Sequence, residues 1–524
     1  MTEIESSAEL RATDAGGTEA GGTDAESSPP RRRQVSIWTV GLVVVVTFYV
    51  AYFTKRTLDA HHGLGTSSYD FGLYDQGVWL MSRFHAPFVT LMGRNLMGDH
   101  TSFILVLLVP LYWVFPAAGT LLFSQSLALG LGAVPVFLYA RKRLASEWMA
   151  FVLATAYLLH PAVGWTNVEN FHPDSFLGVL VGFAIWAALT RRWKAYVVFV
   201  VLALLVKEDV SLLVVPLGIW VAIKRDRRIG LLTIVGSLGF MAIAMLVVMR
   251  GLTGMATRNA WRIPFGGPFG FLKRLFTHPR DVYDHLTSED RPWYLWQMLA
   301  PFAGVFLRRP SVAAIGSLVL AANIVSTFYY QYNIKYHYSL IVVPALAMGT
   351  AYAVAAFGPR ARASAVGVVG VAALITAYLW GPMPFSRAEV GYWSPDNAVA
   401  QSFREIAADI PKDAVVSAYY SATAQLAHRE EIYQFPNPFR IVLYGNDTSL
   451  EGGRLEDRAE RVEYVLVPTN RDEQMNADLA AISSAFDLVR SNDYWELYHR
   501  ARPLPPPPPH APPPTPPTST TTAP

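Results

Sequence analysis

The chain has 524 residues, of which 52% are hydrophobic and 16% charged, and its formal net charge is +3. Soluble proteins usually carry about 25% charged residues, so this composition indicates a membrane protein. The absence of cysteine excludes disulfides, thiolate metal sites and cysteine nucleophiles. The arginine clusters are short and lie between apolar runs, so no nucleic-acid-binding surface is predicted.

The apolar residues are concentrated in runs that approach the length needed to cross a bilayer, about twenty residues. Residues 1–34 precede them, and their polar composition predicts a disordered tail. The first run lacks a small-residue cleavage site and is interpreted as a signal anchor. We predict about eleven membrane helices, near residues 35–53, 118–140, 148–162, 176–190, 195–207, 210–223, 230–249, 293–307, 311–328, 338–357 and 364–380.

One further apolar piece, 102–115, lies between Asp99 and the second predicted span and contains Pro110. It is short for a crossing, and counting it as one would place the basic run 141–143 outside. We therefore expect a re-entrant or interfacial helix within the outer loop 54–117. The later outer loop 250–292, rich in Gly, Pro, Phe and Arg, is expected to carry a surface helix.

The loops between these runs alternate in character. Lysine and arginine are retained on the cytoplasmic side during insertion. The predicted topology is a multi-pass plasma-membrane protein with a cytoplasmic N-terminus, in which the acids, histidines and aromatic residues face the other compartment. The basic loops assigned to the cytoplasm contain residues 31–33, 141–143, 191–194, 224–228, 308–309 and 360–362.

The composition changes after Trp380, and the membrane domain is predicted to span 35–383. Residues 384–500 have the pattern of a small extracytoplasmic α/β domain, with an amphipathic helix over 397–410. Strands are predicted near 414–420, 431–435, 464–468 and 486–499, the last long enough for a hairpin. Residues 501–524 are rich in Pro and Thr and are expected to be extended and disordered.

The first outer loop carries two carboxylates among aromatic residues, Asp70 and Asp75, and ends in Asp99-His100. A carboxylate there can deprotonate an acceptor hydroxyl or hold a divalent cation near a lipid phosphate. In the alternative, Asp70 caps a surface helix, the aromatic residues form an interfacial belt, and His100 is solvated. The two acids are five residues apart, so they do not share a helical face.

The second outer loop contains Glu169 and His172, whose i,i+3 spacing suits a metal ion if the segment is helical. Pro173 opposes a helix that continues through His172. The alternative is that Asp174 or Ser175 caps the next span.

Two further polar stretches interrupt apolar sequence. Lys207-Glu208-Asp209 lies within 195–217, and ionisable residues at membrane depth are costly and usually functional. A self-neutralising turn between two short helices is the alternative. Lys335 and His337 add positive charge and aromatic neighbours before a late span, where an aromatic belt is the alternative.

These landmarks, in this order, resemble the GT-C superfamily of polytopic glycosyltransferases that use polyprenyl-phosphate sugars. The resemblance covers about 35–380. It is closest to a prokaryotic family of predicted membrane proteins grouped as a domain of unknown function. Asp70 and Tyr74 hold the places of an Asp-Glu-x-x-Tyr-like stretch, with Phe71 in place of the acid. The other matches are His100 at the end of the loop, Val206-Lys207-Glu208 leading to Pro216, and the run from Lys335 to Pro344.

The resemblance implies roles for these residues. Asp70 is the expected general base, and Lys207 and Lys335 are expected to neutralise the donor phosphate. The implied partners are membrane lipid, a polyprenyl-phosphate sugar and an envelope glycan or protein acceptor. The implied cofactor is a divalent cation, Mg²⁺ or Mn²⁺, held by Glu169 and His172. The remaining residues expected to bind substrate are Asp75, His100, Glu208 and His337.

Two other classes of protein are compatible with the pattern. One is a secondary transporter with a charged midplane site at 207–209, and the other is a non-catalytic envelope scaffold. Transporters usually consist of repeated halves, whereas here no repeat is evident and the acids cluster on one face. The glycosyltransferase is therefore the favoured prediction.

Overall fold

A computed structural model describes residues 35–257, 259–442 and 450–507. The predicted tails 1–34 and 508–524 lie outside the described residues. The chain is helical through Trp380, because long apolar runs satisfy their backbone groups within each helix. The α-helices of this part are Ile37–His62, Leu73–Ser82, Leu96–Asp99, Val109–Val114, Gly119–Leu131, Ala133–Leu144, Glu147–Leu158, Pro161–Val168, Leu177–Leu189, Trp193–Leu204, Ser211–Lys224, Arg227–Ile243, Arg250–Thr253, Pro268–Thr277, Pro279–Thr287, Arg291–Leu299, Ser317–Val325, Val343–Val354 and Pro359–Trp380.

Several of these helices have the length and composition of a membrane crossing. Glu147–Leu158 and Pro161–Val168, bent by 46°, count as one further crossing if taken together. Shorter apolar helices occupy Phe103–Val114, Pro173–Leu189, Trp193–Leu204 and Ala313–Val325. Within the described residues, five continuous helical segments are long and apolar enough to cross a membrane: Ile37–His62, Gly119–Leu144, Arg227–Thr253, His337–Val354 and Pro359–Trp380.

The predicted span 293–307 differs most from the observed structure. Its helix ends at Leu299, and Ala303 and Gly304 follow with φ angles of 50° and 65°. Residues in the left-handed region terminate helices, so this segment changes direction instead of continuing as one rod.

The helices differ in how much of their surface the protein covers. The window in His337–Val354 is 89% buried, whereas those in Arg227–Thr253 and Ile37–His62 are 11% and 22% buried. A helix that is apolar all round and central is packed by its neighbours, whereas a peripheral one presents its apolar side chains to lipid. The segment between the helices Ile37–His62 and Gly119–Leu131 adds a short antiparallel ribbon of β1 (Phe88–Val89) and β2 (Arg94–Asn95).

Residues 398–500 contain a mixed five-stranded sheet. Its strands are β3 (Val416–Ala418), β4 (Ile432–Gln434), β5 (Tyr464–Pro468), β6 (Phe486–Ser491) and β7 (Trp495–Arg500), in the order β4-β3-β5-β7-β6. Strands β3, β4 and β5 are parallel, and β7 is antiparallel to both β5 and β6. The strands lie where the sequence predicts them, and the central strands β3 and β5 are short runs buried along most of their length. The accompanying helices are Ala398–Ala407, Tyr420–Gln425, Glu456–Ala459 and Glu473–Ala480.

The sheet packs directly on the segment that carries Gln76 and Thr90. The Thr90 hydroxyl donates to the Ile432 carbonyl at 2.6 Å and accepts from the Ile432 amide at 2.9 Å. Gln76 donates to the carbonyls of Arg429 and Glu430. These contacts hold the sheet against the segment that carries Asp70, while the predicted domain boundary near 383 stays a prediction.

Candidate functional site

A cavity of about 680 Å³ lies at the ends of the central helices. It gathers most of the residues that the sequence marks as chemical. Its lining residues are Tyr69, Asp70, Leu73, Tyr74, Met92, Arg94, Asp99, His100, Glu169, His172, Asp174, Lys207, Asn259, Trp261, Arg262, Phe328, Tyr330, Tyr336, His337 and Tyr338.

Asp70 lies in a single π-helical turn, Ser68–Gly72, that enters the helix Leu73–Ser82. The Ser67 hydroxyl caps this turn by accepting from the Asp70 amide at 3.3 Å. The capping role that the sequence left open for Asp70 therefore belongs to Ser67, and the Asp70 carboxylate lines the cavity.

Glu169, His172 and His337 form a compact cluster in the cavity wall, with one potential ligand atom each within 4.8 Å of the others. Glu169 accepts from the His337 amide at 2.6 Å and lies 3.1 Å from His337 Nδ1. The two imidazole rings stack at 3.7 Å. The helix Pro161–Val168 ends before Glu169, and His172 is extended, as Pro173 requires. His337 comes from a segment 168 residues away in sequence from Glu169.

Two cations that line the cavity, Lys207 and Arg94, lie beside carboxylates. Lys207 Nζ lies 3.5 Å from Asp209 and 4.0 Å from Asp174, and its side chain is almost fully buried. Asp174 therefore faces a charge instead of capping the next span. Arg94 binds Asp99 through a 2.9 Å hydrogen bond from Nε.

His100 and Glu208 form a second buried pair, with His100 Nδ1 2.8 Å from Glu208 Oε1. The Thr101 amide donates to the other Glu208 oxygen at 3.2 Å. Burial alone raises the pKa of Glu208, but the charge and hydrogen bond of His100 lower it to about 2. Burial and the charge of Lys207 lower the pKa of His100. The charge and the hydrogen bond of Glu208 raise this pKa by more, so the net shift is upward.

Burial acts differently on Glu169. It raises the pKa of this carboxyl to about 8, because the charge of His172 and the hydrogen bond from the His337 amide compensate only part of the lost hydration. A buried carboxyl with a raised pKa that lines a cavity beside two imidazoles is typical of functional sites. One nitrogen, His172 Nε2, is buried, forms no hydrogen bond and lies 3.5 Å from Glu169 Oε1.

Two residues predicted for the site lie elsewhere. Asp75 is buried and accepts a 2.5 Å hydrogen bond from the Tyr112 hydroxyl, and His428 Nε2 lies 3.0 Å away. Lys335 lines a neighbouring chamber, with Nζ 5.1 Å from the centre of the Trp165 ring. Glu208 reaches the cavity only through His100.

Sequence reasoning missed several residues that line the cavity. Arg262 lies 4.1 Å from the Phe328 ring centre and 5.6 Å from that of Tyr338. The arginine-rich and aromatic composition of the loop 250–292 is a signal that could have identified Arg262. Arg94 carries no comparable signal, because it is a single arginine in a long loop.

Comparison with known proteins gives a consistent family and fold. The family model described as "Predicted membrane protein (DUF2079)" matches residues 60–500. The structure of ArnT from Cupriavidus metallidurans bound to undecaprenyl phosphate is similar, with a TM-score of 0.53 and 13% identity. The match covers 88% of this chain and 98% of ArnT. The apo state of the same ArnT gives a TM-score of 0.51 at the same identity and coverage. No curated protein matches.

The family match confirms the resemblance, drawn from the sequence, to a family of predicted membrane proteins grouped as a domain of unknown function. The similarity to ArnT shows that the two chains share a fold. The chain is a multi-pass membrane protein with an ArnT-like fold, and it belongs to the family "Predicted membrane protein (DUF2079)".

Proposed function

We propose that this protein is an integral membrane glycosyltransferase that moves a sugar from a polyprenyl-phosphate donor to an acceptor hydroxyl outside the cytoplasm. The observation that carries the proposal is the presence of Asp70 and Lys207 in one cavity of an ArnT-like fold. The ArnT structure was solved with undecaprenyl phosphate, which supports a polyprenyl phosphate as the donor class. The acceptor belongs to an envelope glycan or protein.

The proposed reaction is one displacement at the anomeric carbon. Asp70 takes the proton of the acceptor hydroxyl while the acceptor oxygen forms a bond to the anomeric carbon. The bond from that carbon to the phosphate oxygen breaks, and polyprenyl phosphate leaves with the electron pair. Lys207 stabilises the charge that develops on the phosphate, an effect that is strong in a site shielded from water.

The proposal includes the topology. About eleven helices cross the plasma membrane, the N-terminus is cytoplasmic, and the sheet domain lies outside with the cavity. The helices of membrane length and the alternation of basic loops with cavity residues support this arrangement.

A divalent metal ion is a further part of the proposal. Glu169, His172 and His337 offer two imidazoles and one carboxylate, and His172 Nε2, which forms no hydrogen bond, fits a ligand role. Such a donor set suits Mn²⁺ or another transition metal better than Mg²⁺, which prefers oxygen ligands. A bound ion would supply positive charge near the reacting phosphate.

The test is binding of undecaprenyl-phosphate sugar to the purified full chain in lipid nanodiscs. We expect Lys207→Ala to weaken binding at least about tenfold, because a charge-assisted contact is lost. Lys207→Arg keeps the charge and is expected to retain more affinity. Lys273→Ala, on an exposed surface of the helix Pro268–Thr277, is the matched control. Equal affinity in Lys207→Ala and the unmodified protein would contradict the proposal.

A further inference from the structure

A second chamber, of about 290 Å³, adjoins the cavity and is here called the side chamber. It shares Glu169 and Tyr336 with the cavity, so these two residues form a common wall. The residues of the side chamber that carry the argument are Arg56, Trp165, Lys335, Tyr392 and Trp393.

The side chamber is lined by two cations, Arg56 and Lys335, and by one carboxylate, Glu169. Arg56 donates to the carbonyls of Val390 at 2.9 Å and Gly391 at 3.2 Å, which are neutral partners. Lys335 has an exposed side chain held over the Trp165 ring. Within the described part of the chain, neither cation forms an ion pair with a carboxylate. Glu169 is the one carboxylate among the described lining residues, and it accepts from the His337 amide.

The aromatic wall of the side chamber is fixed in place. The Trp393 ring packs on Gly65, where an added Cβ would lie 2.5 Å from the ring. Trp165 Nε1 donates to the Trp380 carbonyl at 2.6 Å, and the Arg56 guanidinium lies 5.1 Å from the Tyr392 ring centre. Rigid aromatic faces with a few convergent polar groups are typical of small-ligand sites. Such faces pack well on the C–H faces of a sugar ring, and two cations suit an anionic substituent.

We propose that the side chamber binds the acceptor, and that the acceptor is a sugar carrying a carboxylate or phosphate. The inference rests on the proposed glycosyltransferase function. The sequence assigns Lys207 and Lys335 to one donor phosphate, but the structure separates them into two chambers. Each lysine therefore binds a different anion: Lys207 binds the phosphate of the donor, and Lys335 binds the anionic group of the acceptor.

The test compares three probes on the purified full chain: methyl glucuronide, glucose 6-phosphate and neutral methyl glucoside. We expect at least one anionic probe to bind about tenfold more tightly than the neutral one, as for one charge-assisted contact. Lys335→Gln removes that preference, Lys335→Arg restores it, and Lys273→Gln leaves it unchanged. The variant Lys335→Gln keeps its full affinity for undecaprenyl phosphate, whereas Lys207→Gln loses it and keeps the probe preference.

Two results would overturn the inference: an anion preference that survives in Lys335→Gln, or a loss of undecaprenyl-phosphate affinity in Lys335→Gln equal to that in Lys207→Gln. The two probe classes distinguish the acceptor carboxylate from the acceptor phosphate. If undecaprenyl phosphate does not bind at all but the Lys335-dependent preference is present, the donor assignment fails and the anionic sugar site stands.

Discussion

The helical region and the sheet region differ in how many of their charged side chains are buried around a cavity. In the helical region, the ionisable residues Lys207, Glu208 and His172 are exposed by 5%, 7% and 4%, and Lys207 and His172 line the cavity. In the sheet region, several charged pairs lie on the surface, as in Arg502–Asp487, whose side chains are 57% and 53% exposed, although the Asp478 carboxylate that pairs with Arg440 is only 8% exposed. The sheet is held instead by apolar residues on its two faces, including Trp495 and Phe486.

The difference indicates which charges are kept for chemistry. Removing ions from water costs several kcal/mol each in a typical protein interior, and their mutual attraction repays this only with good geometry. Exposed pairs contribute about 0–1 kcal/mol. Buried charges around a cavity are thus hard to explain by stability, and the predictions below test that contrast from the largest expected effect to the smallest.

Asp70→Asn is expected to have the largest effect. Loss of a general base lowers the rate of sugar transfer by about 10²–10⁴-fold, because the acceptor hydroxyl is no longer deprotonated. Transfer of radiolabelled sugar from an undecaprenyl-phosphate donor measures it, with Asp281→Asn on an outer surface helix as the control. Near-normal transfer by folded Asp70→Asn would remove the role assigned to this carboxylate.

The cluster Glu169–His172–His337 is expected to bind a metal ion. His172→Ala removes one of three ligands, and we expect at least about a 10-fold loss of Mn²⁺ affinity, as seen when even supporting groups of metal sites are removed. Calorimetric titration of the purified chain measures the affinity. His278→Ala, at an exposed position, should bind normally. Equal affinity in both variants would place the metal elsewhere.

Glu208→Gln is expected to destabilise the fold in a pH-dependent way. Because the pKa of Glu208 is lowered in the folded protein, this residue contributes fully to stability above its ordinary pKa of 4.5. The contribution is lost as the pH falls towards about 2. Because the pKa of His100 is raised in the folded protein, this residue contributes fully to stability below its ordinary pKa of 6.5. The contribution is lost as the pH rises through the pKa of the folded state. The pair therefore stabilises most between pH 4.5 and 6.5.

We accordingly expect Glu208→Gln to lower the free energy of unfolding by about 2 kcal/mol at pH 6 and by less at pH 9. Denaturation of the detergent-solubilised protein at the two pH values measures this difference. Glu473→Gln, at an exposed position in the sheet region, should show no such pH dependence. A loss that is the same at both pH values would show that the ion pair is not its cause.

Arg502→Gln is expected to have the smallest effect. Its partner Asp487 is exposed and screened by water, so the free energy of unfolding should change by less than about 0.5 kcal/mol. The same denaturation experiment measures it. A loss as large as that of Glu208→Gln would abolish the contrast between the two regions.

Much of the molecule follows from local sequence. Apolar runs of sufficient length place the helices Ile37–His62 and Pro359–Trp380, and a short continuous apolar run places β5, because these patterns are set by neighbours in the chain. Short motifs also identify Asp70, His100 and Lys207, which do line the cavity.

Only the tertiary structure decided which of the marked residues meet. His337 contacts Glu169 across 168 residues of sequence, and Arg94 lines the cavity although no sequence signal marks it. Lys335 lines the side chamber and not the cavity. Helix packing sets these distances, and packing depends on the shapes of many side chains at once. The sequence alone therefore determined which groups can do chemistry, and the fold determined which of them share a site.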